Sequence, residues 1–350
     1  MKYYFAPLEG ITGYLYRQAH YAFYPGLDRY YTPFLVPKEK KHLSTKERND
    51  VMAEHNQGIT VIPQIMSNQP DEFVRIAKVL HEEYGYQEIN LNLGCPSKTV
   101  VSKKRGSGFL TVPEQLERFL TTVCNAMERD GMKLSVKTRI GKDKPEEFQR
   151  LLYIFAACPL SELIIHPRVQ KDFYNNLPDL NVFSQAASIY EHMETELCYN
   201  GDIFQASDAQ SLMARFPNLS AIMIGRGLLV NPRLVQEIKV RENGGSEERG
   251  EKTAVYQRFL SAEIEKEERK RRYALHRRLM DDYTLVLSSE KNVLFKMKEL
   301  WLYMSQDFVQ SQRYWKKIKK AQKLSELDNE VYALCTEQKL RDAIGRSELF

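Results

Sequence analysis

Hydrophobic and polar positions follow two different rhythms along this chain. Up to about residue 240, short apolar runs of strand type are interleaved with longer stretches of helical period. The short runs predict strands at residues 3–7, 29–36, 60–65, 88–93, 134–140, 162–166, 195–199 and 221–224. Between them lie amphipathic segments such as DEFVRIAKVLHEEYG from Asp71 and VPEQLERFLTTVCNAMERDG from Val112. SDAQSLMARFP opens on Ser207, the expected N-cap of another helix. Alternating strands and helices imply parallel strands joined by crossover helices. Eight such units in this length match a (β/α)8 TIM barrel better than an open doubly wound sheet. The second unit carries the weakest pattern.

After RENGGSEERGEK, residues 241–252, the rhythm changes. Gly244, Gly245 and Gly250 among charged residues read as a linker or exposed turn. Residues 254–338 contain no proline and are rich in Lys, Glu, Leu and aromatic residues. They predict three or four amphipathic helices in a separate bundle. The expected organisation is an α/β barrel over residues 1–240 and an all-α domain over 241–350.

Composition narrows the class. The chain has 350 residues, 43% of them hydrophobic, which is enough for a sizeable core. No apolar run nears the roughly 18 residues of a membrane-spanning helix. The best candidate, residues 151–160, is short, contains Pro159 and reads as a buried helix. MKYYFAPLEG enters strand-like sequence directly and shows no cleavable signal pattern. The five cysteines (95, 124, 158, 198 and 335) form an odd set with no CxxC pair. That argues against a disulfide framework or a thiolate metal site and for a reducing cytoplasm. No metal-ligand cluster and no obligate protein partner is evident. The net charge of +5 is uneven: residues 241–350 carry 23 Lys and Arg against 19 Asp and Glu, leaving 28 against 27 for the rest. A basic tail points to a polyanionic partner, with a solvated helical face as an equal alternative.

In such a barrel the active site is assembled where strands meet the loops that follow them. Chemically useful residues crowd those positions. The first strand ends in Ala6, Pro7, Leu8, Glu9 and Gly10, and the third in Pro63 and Gln64. The fourth ends in Asn92-Leu93-Gly94-Cys95-Pro96, the fifth in Lys137-Thr138-Arg139, and the sixth in His166-Pro167-Arg168. The seventh ends in Asn200-Gly201-Asp202 and the eighth in Gly225-Arg226-Gly227. Seven such ends in register are hard to attribute to packing.

The loops after the last two strands of these barrels often bind phosphate through backbone amides. Glycines there allow close backbone approach and Arg226 adds charge-assisted bonds, although tight turns alone also use glycine. There is no P-loop, and Gly106-Ser107-Gly108 lacks the third glycine of a dinucleotide fingerprint, so a mononucleotide is favoured. Lys137, pointing into the barrel, is costly to bury without an anionic partner. An isoalloxazine ring is one such partner, because its reduced form is negative near N1 and the C2 carbonyl. Gln64 can donate to and accept from the ring edge. His166 can hold a ring carbonyl or the phosphate, or serve as a satisfied structural histidine.

APLEGIT, NLNLGCPS, VKTRIG, IIHPR, YNGDI and MIGRGLLVNP occur in that order, and residues 4–240 resemble the flavin-dependent tRNA-dihydrouridine synthases. LFKMKELWLYM and WKKIKKAQKLSEL extend the resemblance, more weakly, to that family's tRNA-contacting helical domain. The resemblance implies reduction of the C5=C6 bond of particular tRNA uridines, using FMN that NADPH or NADH has reduced. It further implies hydride transfer from flavin N5 to C6, with Cys95 protonating C5 from the opposite face. A thiol acting as an acid must be protonated, which suits a neutral or raised pKa. Cys95, held between Gly94 and Pro96, fits that role better than the role of a small buried hydrophobe. Cys124, Cys158 and Cys198 lie in helix or strand patterns and read as packing.

Carried over position by position, Pro7, Leu8, Glu9, Gln64, Lys137, His166, Asn200, Gly201, Asp202, Gly225 and Arg226 are expected at the FMN. Asn92 is expected at the target uracil, and Arg139 and Arg168 at substrate or flavin. KKRGSGFL, residues 103–110, resembles the loop after the cysteine, whose basic residues suit tRNA phosphates. Two positions depart from the family pattern. Gly13 follows Thr12 where aspartate is common, and HPRV at residues 166–169 replaces HGRT, so Pro167 removes a backbone donor.

A uridine inside folded RNA must leave its stack to reach a flavin in a barrel mouth. Extrusion costs roughly a few kcal/mol, which contacts to the RNA backbone can offset. RKRRYALHRR and KKIKK interleave with Tyr273, Trp301, Tyr303 and Trp315, a mix suited to phosphate contacts and stacking. Core packing is nevertheless the expected role of those aromatics. Lys38, Lys40 and Lys41 extend the basic track. Two rival readings stand beside this one. An FMN-barrel oxidoreductase acting on a free pyrimidine or another small enone-like substrate would not need the basic tail. An RNA-binding barrel that had lost its cofactor would be colourless, whereas a flavoprotein is yellow.

Overall fold

The computed structural model describes residues 1–38, 43–243 and 262–342. Most of the expected glycine-rich turn, together with Lys40 and Lys41, lies outside the described residues. The chain divides into two compact units. The first comprises Met1–Tyr14, Leu27–Asp202 and Met213–Ile224, and the second Leu15–Gly26, Ile203–Leu212 and Gly225–Phe350.

The first unit contains the whole sheet. Its strands are β1 (Lys2–Phe5), β2 (Arg29–Tyr31), β3 (Val61–Ile62), β4 (Gln64–Ile65), β5 (Glu88–Leu93), β6 (Lys133–Arg139), β7 (Glu162–His166), β8 (Glu196–Asn200) and β9 (Ala221–Ile224). All pair in parallel, in the order β3-β2-β1-β9-β8-β7-β6-β5-β4. The two ends of that order are halves of one extended run. Pro63 has no N–H for the ladder, so the run breaks into β3, which pairs with β2, and β4, which pairs with β5. The nine segments are thus eight staves of a closed barrel, as the strand–helix alternation predicts. The second unit of the repeat is the irregular one: β2 stops at Tyr31, and a single bridge from Leu35 to Ile65 continues it.

The crossover helices of this unit start where the sequence dictates. Helix α2 (Thr45–Val51) opens with a capping box between Ser44 and Glu47. α3 (Pro70–Glu82) and α5 (Pro113–Arg129) each begin with proline at the first turn, where no N–H is needed. α3 buries Phe73, Ile76, Ala77 and Leu80, one helical face. α4 (Lys98–Val101) is a single turn after the Cys95 loop, and α6 (Glu147–Ala156) and α7 (Leu180–Tyr190) complete the set. Inside the barrel Tyr4, Ala6, Tyr31, Ile62, Ile164, Cys198, Ala221 and Met223 form one buried cluster. At the start of β7, Glu162 accepts from the Tyr4 and Tyr31 hydroxyls, one on each carboxylate oxygen, at 2.9 and 3.0 Å. Burial pushes that carboxyl up to about 7.

The second unit is helical. It holds most of α1 (Tyr14–Phe23) and α8 (Ala206–Arg215), then α9 (Arg226–Val230), α10 (Leu234–Asn243), α11 (Ala262–Val286), α12 (Glu290–Met304), α13 (Gln312–Lys320) and α14 (Leu324–Glu337). Ser207 lies inside α8 and does not cap it. Asp208 does that work, accepting from the Phe204 and Gln205 amides. Trp301 is fully buried, with Nε1 donating to His276 Nδ1 at 3.0 Å, so packing wins for that aromatic. Arg272, also fully buried, meets Asp307 at 2.5 Å and Glu268 at 3.2 Å. Many surface charges pair with neighbours, as Arg277 does with Asp328 and Lys317 with Glu330. No described helix is long and apolar enough to cross a membrane.

Candidate active site

The strand register of the barrel brings the candidate residues into one neighbourhood. Gln64 pairs with Asn90, Asn92 with Lys137, and Arg139 with His166. Gln64 is fully buried; its amide donates to Asn90 Oδ1 at 2.8 Å and accepts from Asn92 Nδ2 at 2.6 Å. Asn90 in turn donates to Ser135 Oγ at 3.0 Å. This chain of amides fixes the orientation of Asn92. Its Oδ1 accepts from the backbone N–H groups of Gly94 and Cys95 at 3.0 and 3.1 Å, the local turn for which asparagine is suited.

Cys95 is therefore held by its own backbone. Its carbonyl accepts from Ser107 N at 3.1 Å and Ser107 Oγ at 2.8 Å. Gly106, at φ 54°, passes so close that a Cβ there would stand 2.9 Å from the Cys95 oxygen. The thiol is half-buried, and burial first of all pushes its pKa up. At neutral pH it carries its proton.

Lys137 faces the same space. No hydrogen bond to its ammonium is found among the described residues, and its Nζ lies 3.9 Å from where a Gly94 Cβ would be. Burial, and then Arg139, lowers its pKa to about 8. Among the described residues, Arg139 has no carboxylate among its hydrogen-bond partners. It donates through Nε to Gly94 O at 3.0 Å, Nη1 to Val169 O at 2.9 Å and Nη2 to Phe173 O at 2.7 Å. Its donors are thus spent on loop carbonyls, which does not favour the contact with substrate or flavin expected of it.

Arg168 is similarly engaged. It forms a fork with Asp202, donates through Nε to Asn176 O at 2.6 Å, and lies 2.9 Å from His166 Nε2. His166 also stacks against Tyr174. Asn200 donates to Met223 O at 2.8 Å. A Cβ on Gly201 would collide with the Tyr199 ring, so packing alone requires glycine there. Pro7 and Leu8 are partly exposed after β1, and Glu9 pairs with Lys46 at 2.7 Å. In the second unit, Gly225 precedes the five-residue α9 and Arg226 lies over the Phe204 ring at 5.5 Å. In the 103–110 loop, Arg105 contacts Glu72 at 3.4 Å, while Lys103 and Lys104 are exposed.

Sequence reasoning missed Ser107, Asn90 and Tyr174. The N-x-G-C spacing carries the signal for the Asn92 turn. Ser107 stands twelve residues from Cys95, with no local pattern to announce the contact.

Lys137, with no hydrogen bond to its ammonium among the described residues, thus stands near the protonated thiol of Cys95. A model of the family described as Dihydrouridine synthase (Dus) matches residues 4–330. The chain belongs to the dihydrouridine synthase family. It is 28% identical over 232 residues to tRNA-dihydrouridine synthase B of Pasteurella multocida (strain Pm70), covering 65% of this chain and 66% of that one. It is 26% identical over 235 residues to tRNA-dihydrouridine synthase B of Escherichia coli (strain K12), covering 67% and 70%. Among solved structures, morphinone reductase superposes with a TM-score of 0.48 at 13% identity, covering 68% of this chain and 85% of that one.

Proposed function

We propose that this member of the dihydrouridine synthase family reduces the C5=C6 bond of uridines in tRNA. FMN is the bound cofactor in this reading, and NADPH or NADH the electron source. The observation that carries it is the thiol of Cys95, kept protonated by burial, in a turn anchored by Asn92 and Ser107 beside Lys137, whose ammonium has no hydrogen bond among the described residues.

When bound, FMN supplies the hydride. Lys137 Nζ stands ready to meet negative charge on the ring, and Gln64, His166 and Asn200 to line it. Pro7, Leu8, Glu9, Gly201, Asp202, Gly225 and Arg226 complete the expected FMN set on the strength of the family resemblance. Asn92 is assigned to the uracil edge. The Cys95 Sγ–H delivers the proton to C5 and takes one back from water before the next turnover. Exposed Lys316, Lys319 and Lys320 on α13 are suited to tRNA phosphates.

Cys95→Ala tests the reading. The variant should bind FMN and be reduced by NADPH at the wild-type rate, monitored near 450 nm (about that value for oxidised flavin). It should lose most dihydrouridine formation on tRNA lacking the modification. Wild-type turnover by Cys95→Ala removes the proton-donor role. Reduction of free uridine as readily as tRNA favours the small-substrate oxidoreductase.

A further inference from the structure

Arg139, at the end of β6, and Gln170, in the loop after β7, hold the Cys95 turn from both sides. Before the cysteine, Gly94 O accepts from Arg139 Nε at 3.0 Å; after it, Pro96 O accepts from Gln170 Nε2 at 3.2 Å. The other two arms of the Arg139 guanidinium reach Val169 O and Phe173 O, and the backbone N–H of Gln170 donates to Gly141 O at 2.9 Å. Arg139 and Gln170 are both nine-tenths or more buried. Phe173 sits at φ 48°, ψ −92°, a backbone conformation that costs energy for any side chain and persists only where its surroundings enforce it. The Arg139–Phe173 bond, at 2.7 Å, is one such enforcement, and the Tyr174 ring over the guanidinium at 5.5 Å is another.

We propose that Arg139 and Gln170 are positioning residues that clamp the Cys95 turn to the loop after β7 and so fix where the thiol points. The inference rests on Cys95 being the proton donor, and it assigns neither residue a contact with substrate. Both act through the two carbonyls that flank the cysteine. Losing the clamp leaves Asn92 and Ser107 holding the turn and frees the thiol to swing.

Arg139→Lys and Gln170→Ala test it in the flavin-loaded full-length protein. Lysine keeps the charge but brings one ammonium to three carbonyls on two loops. The first reading is the rate of alkylation of each cysteine by iodoacetamide, followed by mass spectrometry. Cys95 should react about tenfold faster in Arg139→Lys, the effect of one lost hydrogen bond to a charged donor. Gln170→Ala should show a smaller rise. Cys124, Cys158 and Cys198 should be unchanged in both. The second reading is turnover: dihydrouridine formation should fall by about 10²-fold in Arg139→Lys, the usual effect of a misplaced reacting group, while flavin reduction by NADPH stays at the wild-type rate.

Unchanged Cys95 alkylation in both variants overturns the clamp, as does an equal rise at all five cysteines, which reports general loosening. If Arg139→Lys fails to fold with flavin, Gln170→Ala decides on the same terms. The alkylation reading needs no tRNA chemistry. A selective rise at Cys95 in a protein that forms no dihydrouridine would uphold the clamp and refute the proposed activity instead.

Discussion

Replacing Lys137 by methionine should make the flavin-free protein more stable and its hold on flavin weaker. Lysine and methionine are similar in length and volume, so the swap removes the charge and leaves the packing nearly intact. The Lys137 pKa falls from 10.5 to about 8, through burial and then the nearby Arg139. Each unit of that difference is worth about 1.4 kcal/mol, so keeping the ammonium charged at pH 7 costs the folded state about 3 kcal/mol. Lys137 is only partly shielded from solvent, which makes this figure an upper bound.

The pH dependence has a definite sign. Between pH 8 and 10.5 the unfolded chain holds a proton on this lysine that the folded chain has released, so stability rises with pH across that window. Below pH 8 the full cost is present. Thermal or urea denaturation of flavin-free wild type and Lys137→Met, at pH 7 and again near 10.5, measures the difference. At pH 7 the variant should melt about 4 °C higher, from the usual entropy of unfolding per residue. The gap should close near pH 10.5. On the proposed reading, adding FMN should reverse the order, because wild-type Lys137 then meets an anion that the variant cannot use. A variant no more stable than wild type at pH 7, or a gap independent of pH, would refute the reasoning.

The remaining predictions concern stability. Glu162→Gln should gain on wild type as pH rises: the folded carboxyl has its pKa raised from 4.5 to about 7, so its contribution is intact below 4.5 and lost through 7, worth about 3 kcal/mol at pH 8. Urea midpoints at pH 5 and pH 8 measure it, and equal gaps at the two values would count against it. Arg272→Met should destabilise the helical unit by about 3–5 kcal/mol, because Asp307 and Glu268 remain buried without their cation. Loss of helical circular dichroism on heating reports it, and a melting point within 1–2 °C of wild type would rule it out.

The barrel was legible because its signal is local and repeated. Four predicted strands begin at the observed residue and the other four start one residue away, because apolar strand runs and proline-led helices each announce themselves within a dozen positions. The break at Pro63 was readable in principle: a proline in mid-strand cannot donate to the ladder, and here it splits one stave between two neighbours. Ser207 misled because serine before an apolar run is the usual cap. The chain was already helical one residue earlier, and Asp208 satisfied the preceding amides.

Residue types at the strand ends pointed to the site, but what each residue does there depends on partners far away in sequence. Arg139 and Arg168 read as cations free to meet a ligand, because an arginine at a loop edge carries no mark of what it will bond. In the fold, one is taken up by three carbonyls and the other by Asp202. Lys137 is the opposite case, a cation whose pairing no local pattern could decide and which the fold leaves without a hydrogen bond among the described residues. Of these three cations, Arg139 and Arg168 serve the protein's own geometry, and the proposed function assigns Lys137 to an incoming anion. That division follows from chemistry. Guanidinium groups, with five donors in a rigid fork, suit a splint across several carbonyls, whereas a single mobile ammonium suits a negative charge that comes and goes.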